Sequence, residues 1–239
     1  MAWVIRAKEG RRGFEHGVRD SVVIESADIV DLDWLRAVIL RSSERRATLR
    51  AMREFGPEDA WLSAGFVRNA VFTHMFGPPR IAMVSDLDVI YFDENRTSRE
   101  RDRRFERALT ANLTASWSVK NQASFTRPAT SKPRSRMTLR RRVTVPAYTD
   151  VGEALSHFPE TATAVAVRLG NPGLEVLAPC GLKDLRAGLI RATPHTQADV
   201  FAARCAEKRW TERWPGVRVE ALETVPRASL VSAPPRGSR

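Results

Sequence analysis

The stretch Trp61–Asp93, WLSAGFVRNAVFTHMFGPPRIAMVSDLDVIYFD, decides the fold. It predicts a short strand over 61–64, a glycine turn at Gly65, a helix over 66–75 stopped by Gly77-Pro78-Pro79, and then a strand carrying two carboxylates. Side chains along a strand alternate between faces, so Asp86 and Asp88, two positions apart, emerge side by side. Leu87, Val89, Ile90, Tyr91 and Phe92 are apolar on both faces, the pattern of an interior strand, where unpaired carboxylates are costly to bury. A bound divalent cation removes that cost, which makes the pair a candidate metal site. Gly65 stands at a helix N-terminus, where free N–H groups and the positive dipole end meet a residue without a side chain, so a phosphate can approach the backbone. Arg68 and Asn69 fall in the first turn, where a guanidinium fork and an amide add to such a grip. Gly65 alone also suits a plain tight turn; the nearby aspartates favour the phosphate reading.

Outward from this stretch, residues 33–55 predict two helices. Trp34, Leu35, Val38 and Ile39 form one apolar stripe and Leu49, Met52 and Phe55 another, with Ser42 or Ser43 capping the second start and Gly56-Pro57 ending it. On the far side a helix is expected over 98–113, opened by a Thr97/Glu100 capping box and buried through Phe105, Ala108 and Leu109. Arg99, Arg101, Arg103, Arg104 and Arg107 fit its solvated face. Trp117–Ala123 reads as a strand, with Trp117, Val119 and Asn121 on one face and Ser118, Lys120 and Gln122 on the other. Residues 124–145 lack hydrophobic periodicity and hold Pro128 and Pro133, so they read as a long basic loop. VGEALSHF suits a short helix, and two apolar runs around Gly170-Asn171-Pro172-Gly173 a hairpin. The last helix, over 196–214, starts at Thr196 with Asp199 three residues on. It carries Arg204 and Lys208 on one face: a surface ridge, or a phosphate clamp if the helix folds back over the aspartates.

The chain has 239 residues, 43% hydrophobic and 28% charged, the proportions of a soluble globular protein. Its net charge of +11 is regional: from Arg107 to Thr149 there are nine basic residues and no acid, and the tail after Glu223 adds three more. The remainder is close to neutral, which argues against a basic groove along the body and leaves a basic loop that can touch phosphates. No apolar run is long enough to span a bilayer, and the first twenty residues are too charged for a secretory signal, so a cytoplasmic protein is expected. Cys180 and Cys205 are the only cysteines, and His16, His74, His157 and His195 are scattered, which disfavours a disulfide framework or structural zinc.

Gly65–Asn69, Ser85–Val89, WSVKNQA over 117–123, PETATAV over 159–165, APCGLKDL over 178–185, and Arg204, Lys208 and Trp210 together resemble, in order, a bacterial family of nucleotidyltransferase-like proteins within the DNA polymerase β superfamily. The resemblance implies an α+β nucleotidyltransferase fold, a mixed β-sheet flanked by helices. The Asp-x-Asp strand would hold magnesium and the glycine turn the triphosphate. The chain divides accordingly into an N-terminal extension (1–30), the nucleotidyltransferase-like domain (31–215) and a tail (216–239). Three features depart from the family pattern. Phe66 stands where Gly or Ser usually follows the glycine. The strand that normally supplies a third carboxylate offers Lys120 and Asn121, leaving Glu160 and Glu175 as candidates, or as exposed structural carboxylates. The basic loop interrupts the run after Asn-Gln-Ala.

The expected activity is metal-dependent transfer of a nucleoside monophosphate from a nucleoside triphosphate to an acceptor hydroxyl. Asp86 and Asp88 would bind Mg²⁺ or Mn²⁺, while Gly65, Arg68, Asn69 and Lys120 hold the phosphates. Two alternatives stand beside it: a catalytically silent nucleotide-binding or regulatory module on the same scaffold, and an RNA-binding protein that uses the basic loop.

Overall fold

One row of side chains crosses five strands and seals the centre of the molecule: Val176, Val167, Leu62, Val89 and Val119, each with no exposed surface. The computed structural model describes residues 4–5, 26–82, 86–128 and 144–220. Its main sheet contains β1 (Val4–Ile5), β2 (Trp61–Ser63), β3 (Leu87–Tyr91), β4 (Trp117–Asn121), β7 (Ala166–Gly170) and β8 (Gly173–Leu177). The spatial order is β1-β8-β7-β2-β3-β4, antiparallel throughout except for the parallel pair β3 and β4. Interior position accounts for the apolar content of β3 on both faces. The strand Val4–Ile5, within the expected N-terminal extension, pairs with β8 at the sheet edge.

Helices α1 (Ser26–Arg41), α2 (Ser43–Phe55), α3 (Gly65–Phe76) and α4 (Arg99–Asn112) pack on the face that carries the valine row. The break between α1 and α2 falls at Ser42, whose Oγ accepts from Arg45 N at 3.2 Å and caps the second helix. The start of α4 lies one residue beyond the expected position: Ser98, not Thr97, is the cap, its Oγ accepting from Arg101 N. Arg99 and Arg101 are more than a solvated face. Arg99 donates to Val119 O at 2.7 Å, and Arg101 pairs with Asp93 and lies 5.6 Å from the Tyr91 ring. The opposite sheet face carries a smaller apolar cluster of Trp61, Ile90, Ala164, Ala166 and Leu177, closed by Val151 and Leu155 of α5 (Val151–Ser156).

Residues 124–145 differ from the expected featureless loop. Asn121 caps a 3₁₀ turn at Gln122–Ser124, and β5 (Thr126–Pro128) pairs antiparallel with β6 (Thr144–Pro146). The basic residues between those strands lie outside the described residues, as do 221–239 of the tail. Further on come α6 (Lys183–Arg186), β9 (Leu189–Arg191), α7 (Ala198–Lys208), α8 (Trp210–Arg213) and β10 (Arg218–Glu220), with β9 and β10 parallel. The expected single C-terminal helix is two, because Arg209 adopts φ +49° and turns the chain. Its start also differs: Gln197 stands at the cap, while Thr196 Oγ1 donates to Pro159 O at 3.0 Å. The turn at Arg209 places Trp210 and Trp214 inside, 2% and 0% exposed, and Trp214 Nε1 donates to Gly77 O at 3.1 Å. Burying about 150–250 Å² per indole, at about 25 cal/mol per Å², favours this docking by roughly 4–6 kcal/mol each.

Asn121 is fully buried and ties β4 to the turn after β3. Its Nδ2 donates to Asp93 O at 2.8 Å and Arg96 O at 3.1 Å, and its Oδ1 accepts from Asp93 N and Ala123 N. Asn121→Asp replaces the donor with an anion that faces two carbonyl oxygens. The expected loss is about 2–3 kcal/mol of stability in urea unfolding; an unchanged midpoint would contradict this role.

Candidate active site

The strands bring Asp88 and Lys120 to one face, since Asp88 pairs in register with Ser118 and Ile90 with Lys120. Asp86 lies one residue before β3 and is exposed, and Ser116 Oγ donates to its Oδ1 at 2.6 Å. Ser116 was not visible as a partner in the sequence, because only the parallel pairing of β3 with β4 sets these residues side by side. Asp88 is half-buried, and its backbone carbonyl accepts from Ser63 Oγ at 3.3 Å. Burial pushes the Asp88 carboxyl up from the ordinary carboxylate range; Lys120, Arg68 and Lys208 pull it down, while Asp86 adds to the rise.

The turn before α3 is not strained at the glycine. Ala64 takes φ +51°, ψ −115°, and Gly65 is the first helical residue. A side chain in that region costs roughly 1–3 kcal/mol and is concentrated at functional sites. Ala64 and Gly65 line a cavity of about 610 Å³ that also receives Asp86, Asp88, Arg68 and Lys120. Arg68 is 5% exposed. Burial lowers its guanidinium to about 10, Glu160 and Asp88 support the charge, and Arg204 and Arg213 oppose it. Asn69 stands behind Arg68 rather than in the cavity wall: its Oδ1 accepts from Arg68 Nε at 3.2 Å and Nη2 at 3.0 Å.

Helix α7 folds over the aspartates, the condition under which Arg204 and Lys208 face the site. Both line the cavity, together with Glu207, Trp210 and Arg213. The Arg68 guanidinium lies 5.3 Å from the Trp210 ring centre, within cation–π range. Five cations and three carboxylates therefore share one cavity wall. Arg213 Nε is buried without a hydrogen-bond partner, a donor suited to an anion. Arg213 and Glu207 carry no local sequence signal, since helix docking alone delivers them.

Glu160, considered above as a third carboxylate or an exposed structural one, is neither exposed nor turned toward a cation site. It has no exposed surface and pairs with Arg204, whose Nη2 donates to Oε2 at 3.2 Å, while Thr163 Oγ1 donates to the same oxygen at 2.8 Å. Glu175 accepts from Arg168 Nε at 2.6 Å and lines a separate cavity with Asp59. Among the described residues no cluster of three acidic, histidine or cysteine side chains could hold a metal. Two adjacent carboxylates, one half-buried beside the other, still form a donor set that Mg²⁺ accepts when phosphate oxygens complete the shell.

The Glu160–Arg204 pair has an asymmetric cost. Arg204→Met strands a carboxylate with no exposed surface and is expected to cost about 3 kcal/mol. Glu160→Gln leaves a guanidinium that is 29% exposed and can turn to water, with an expected cost of about 1 kcal/mol. Urea unfolding of both variants checks this order, and equal losses would contradict it.

A family model described as Nucleotidyltransferase matches residues 50–219. Among solved structures, a protein whose NMR structure reveals a CCA-adding enzyme head domain is 27% identical, with a TM-score of 0.63 over 80% of this chain and 96% of that one. A Thermotoga maritima CCA-adding enzyme complexed with tRNA is 16% identical, with a TM-score of 0.42 over 80% of this chain and 42% of that one. No curated protein matches the sequence. Among the described residues no helix is long and apolar enough to cross a membrane. A mixed sheet flanked by helices carries the Asp-x-Asp strand, and the matched region spans most of the chain, so the chain belongs to the nucleotidyltransferase family.

Proposed function

We propose that this protein transfers a nucleoside monophosphate from a nucleoside triphosphate to an acceptor hydroxyl. The observation that carries this reading is the single cavity in which Asp86 and Asp88 face Arg68, Lys120, Arg204, Lys208 and Arg213. Asp86 and Asp88 would hold Mg²⁺ or Mn²⁺, which when bound offsets charge on the phosphate oxygens. Arg68, already desolvated and held by Asn69 and Trp210, offers its guanidinium to a phosphate without further ordering. Gly65 and the first amides of α3 provide backbone donors. Lys120 approaches from β4, and Arg204 and Lys208 from α7, so the phosphates are gripped from three elements. In the transfer the acceptor hydroxyl releases its proton to solvent and its oxygen bonds to the α-phosphorus. The bond from that phosphorus to the α–β bridging oxygen breaks, and pyrophosphate leaves with the electron pair. The assigned unit spans residues 31–215, with Val4–Ile5 added at the sheet edge. Similarity to a CCA-adding enzyme head domain supports a nucleoside triphosphate as donor.

A second reading has its own observation. The strand beside Asp88 offers Ser118 in register with it and Lys120 two residues on, and no carboxylate, which suits a module that binds nucleotide without turnover.

The test is pyrophosphate release from each nucleoside triphosphate with Mg²⁺, against small-molecule, protein and tRNA acceptors. Asp88→Asn is expected to lower release at least about a hundredfold. Release that survives the substitution would overturn the site, and tight nucleotide binding with no release from any acceptor favours the second reading.

A further inference from the structure

Phe125 is an exposed aromatic ring with a place to use it. Among the described residues six large apolar side chains are exposed, and Phe125, at 45%, is the one that is aromatic and lines the cavity of the aspartates. Scattered surface hydrophobes are ordinary; a phenyl ring in the wall of a cation-rich cavity is not. Its carrier is held firmly. Asn121 Oδ1 accepts from Ala123 N, Ser124 Oγ donates to Asn121 O at 2.6 Å, and Phe125 O accepts from Ala147 N at 2.7 Å. The ring is flanked by a row of further rings. Tyr148 lies 6.3 Å away, His157 is 5.1 Å from Tyr148, and His195 stacks on His157 at 3.8 Å with an interplanar angle of 19°. The two histidines, distant in sequence, are thus brought together as packing. Phe158 and the buried Gln122 line the same cavity, adding a second ring and an amide that can pair with a heterocycle edge.

We propose that Phe125, with Gln122 and Phe158, forms a nucleobase subsite next to the phosphate-binding cations. The inference rests on the nucleotide reading of the cavity. A triphosphate needs only cations, a metal and backbone donors, so a cavity wall that adds phenyl rings and an amide selects a planar heterocycle. That base has two sources, the incoming nucleoside triphosphate or the end of an acceptor strand, and the same stacking chemistry serves both.

The test is calorimetric binding of ATP, inorganic tripolyphosphate and the oligonucleotide CpCpA, each with Mg²⁺, to wild type and to Phe125→Ala, Phe125→Leu and Phe125→Trp. Stacking predicts about tenfold weaker binding of a base-bearing ligand to the Ala and Leu variants, retention in the Trp variant, and unchanged tripolyphosphate. Loss confined to ATP assigns the donor base, and loss confined to CpCpA the acceptor base. Unchanged binding of both, or equal loss for tripolyphosphate, overturns the subsite while leaving the phosphate site standing. Wild type that binds none of the three overturns the nucleotide reading and the subsite with it.

Discussion

A guanidinium buried to 5% exposure cannot stay charged unless its surroundings replace the water it has lost. Arg68 is that group, and the answer to its burial comes from elements spread over the chain. Asn69 accepts two of its N–H bonds from within α3, Trp210 supplies a ring face from the C-terminal segment, and Asp88 and Glu160 supply negative charge from β3 and from the loop before β7. Each of these offsets part of the cost of burying a cation in a site that already contains Arg204 and Arg213. The docking of α7 and α8 is therefore linked electrostatically to the aspartates as well as by tryptophan burial.

The same arrangement explains how two aspartates can share the mouth of one cavity. Asp88 is pushed toward its neutral form by burial and by Asp86, while Lys120, Arg68 and Lys208 favour its charge. Asp86 remains exposed and is held by Ser116. The cations outnumber the carboxylates in the wall, a balance that suits the proposed polyanion, with the carboxylate pair as the proposed place for a divalent cation.

Much of the architecture was legible because its signals are local. Alternation marked β3 and β4, the serine between two apolar stripes marked the α1–α2 break, and the apolar runs around 170–173 marked the β7–β8 hairpin. Caps were harder: Ser98 rather than Thr97 begins α4, because adjacent hydroxyl residues differ in backbone conformation, not in chemistry. The strain at the turn before α3 fell on Ala64 although glycine is the residue usually placed there. Contacts between distant segments carried the least signal. Glu160 and Arg204, 44 residues apart, meet only when α7 docks beside the cavity, and neither residue's neighbours announce the other. For that reason Glu160 could be read as a third metal carboxylate when it is the partner of an arginine that lines the cavity. Arg204 and Lys208 were recognisable as one helical face, but what that face meets depended on the left-handed turn at Arg209.

The central claim is that Asp86 and Asp88 join a divalent cation to a nucleotide in one cavity. Electron paramagnetic resonance titration of Mn²⁺, with and without a nucleoside triphosphate, tests it on wild type and on Asp86→Asn/Asp88→Asn. The account predicts that the nucleotide tightens Mn²⁺ binding to the wild type beyond its own affinity for the ion, and that the double variant loses this enhancement. Enhancement of the same size in the double variant would place the metal elsewhere and contradict the account.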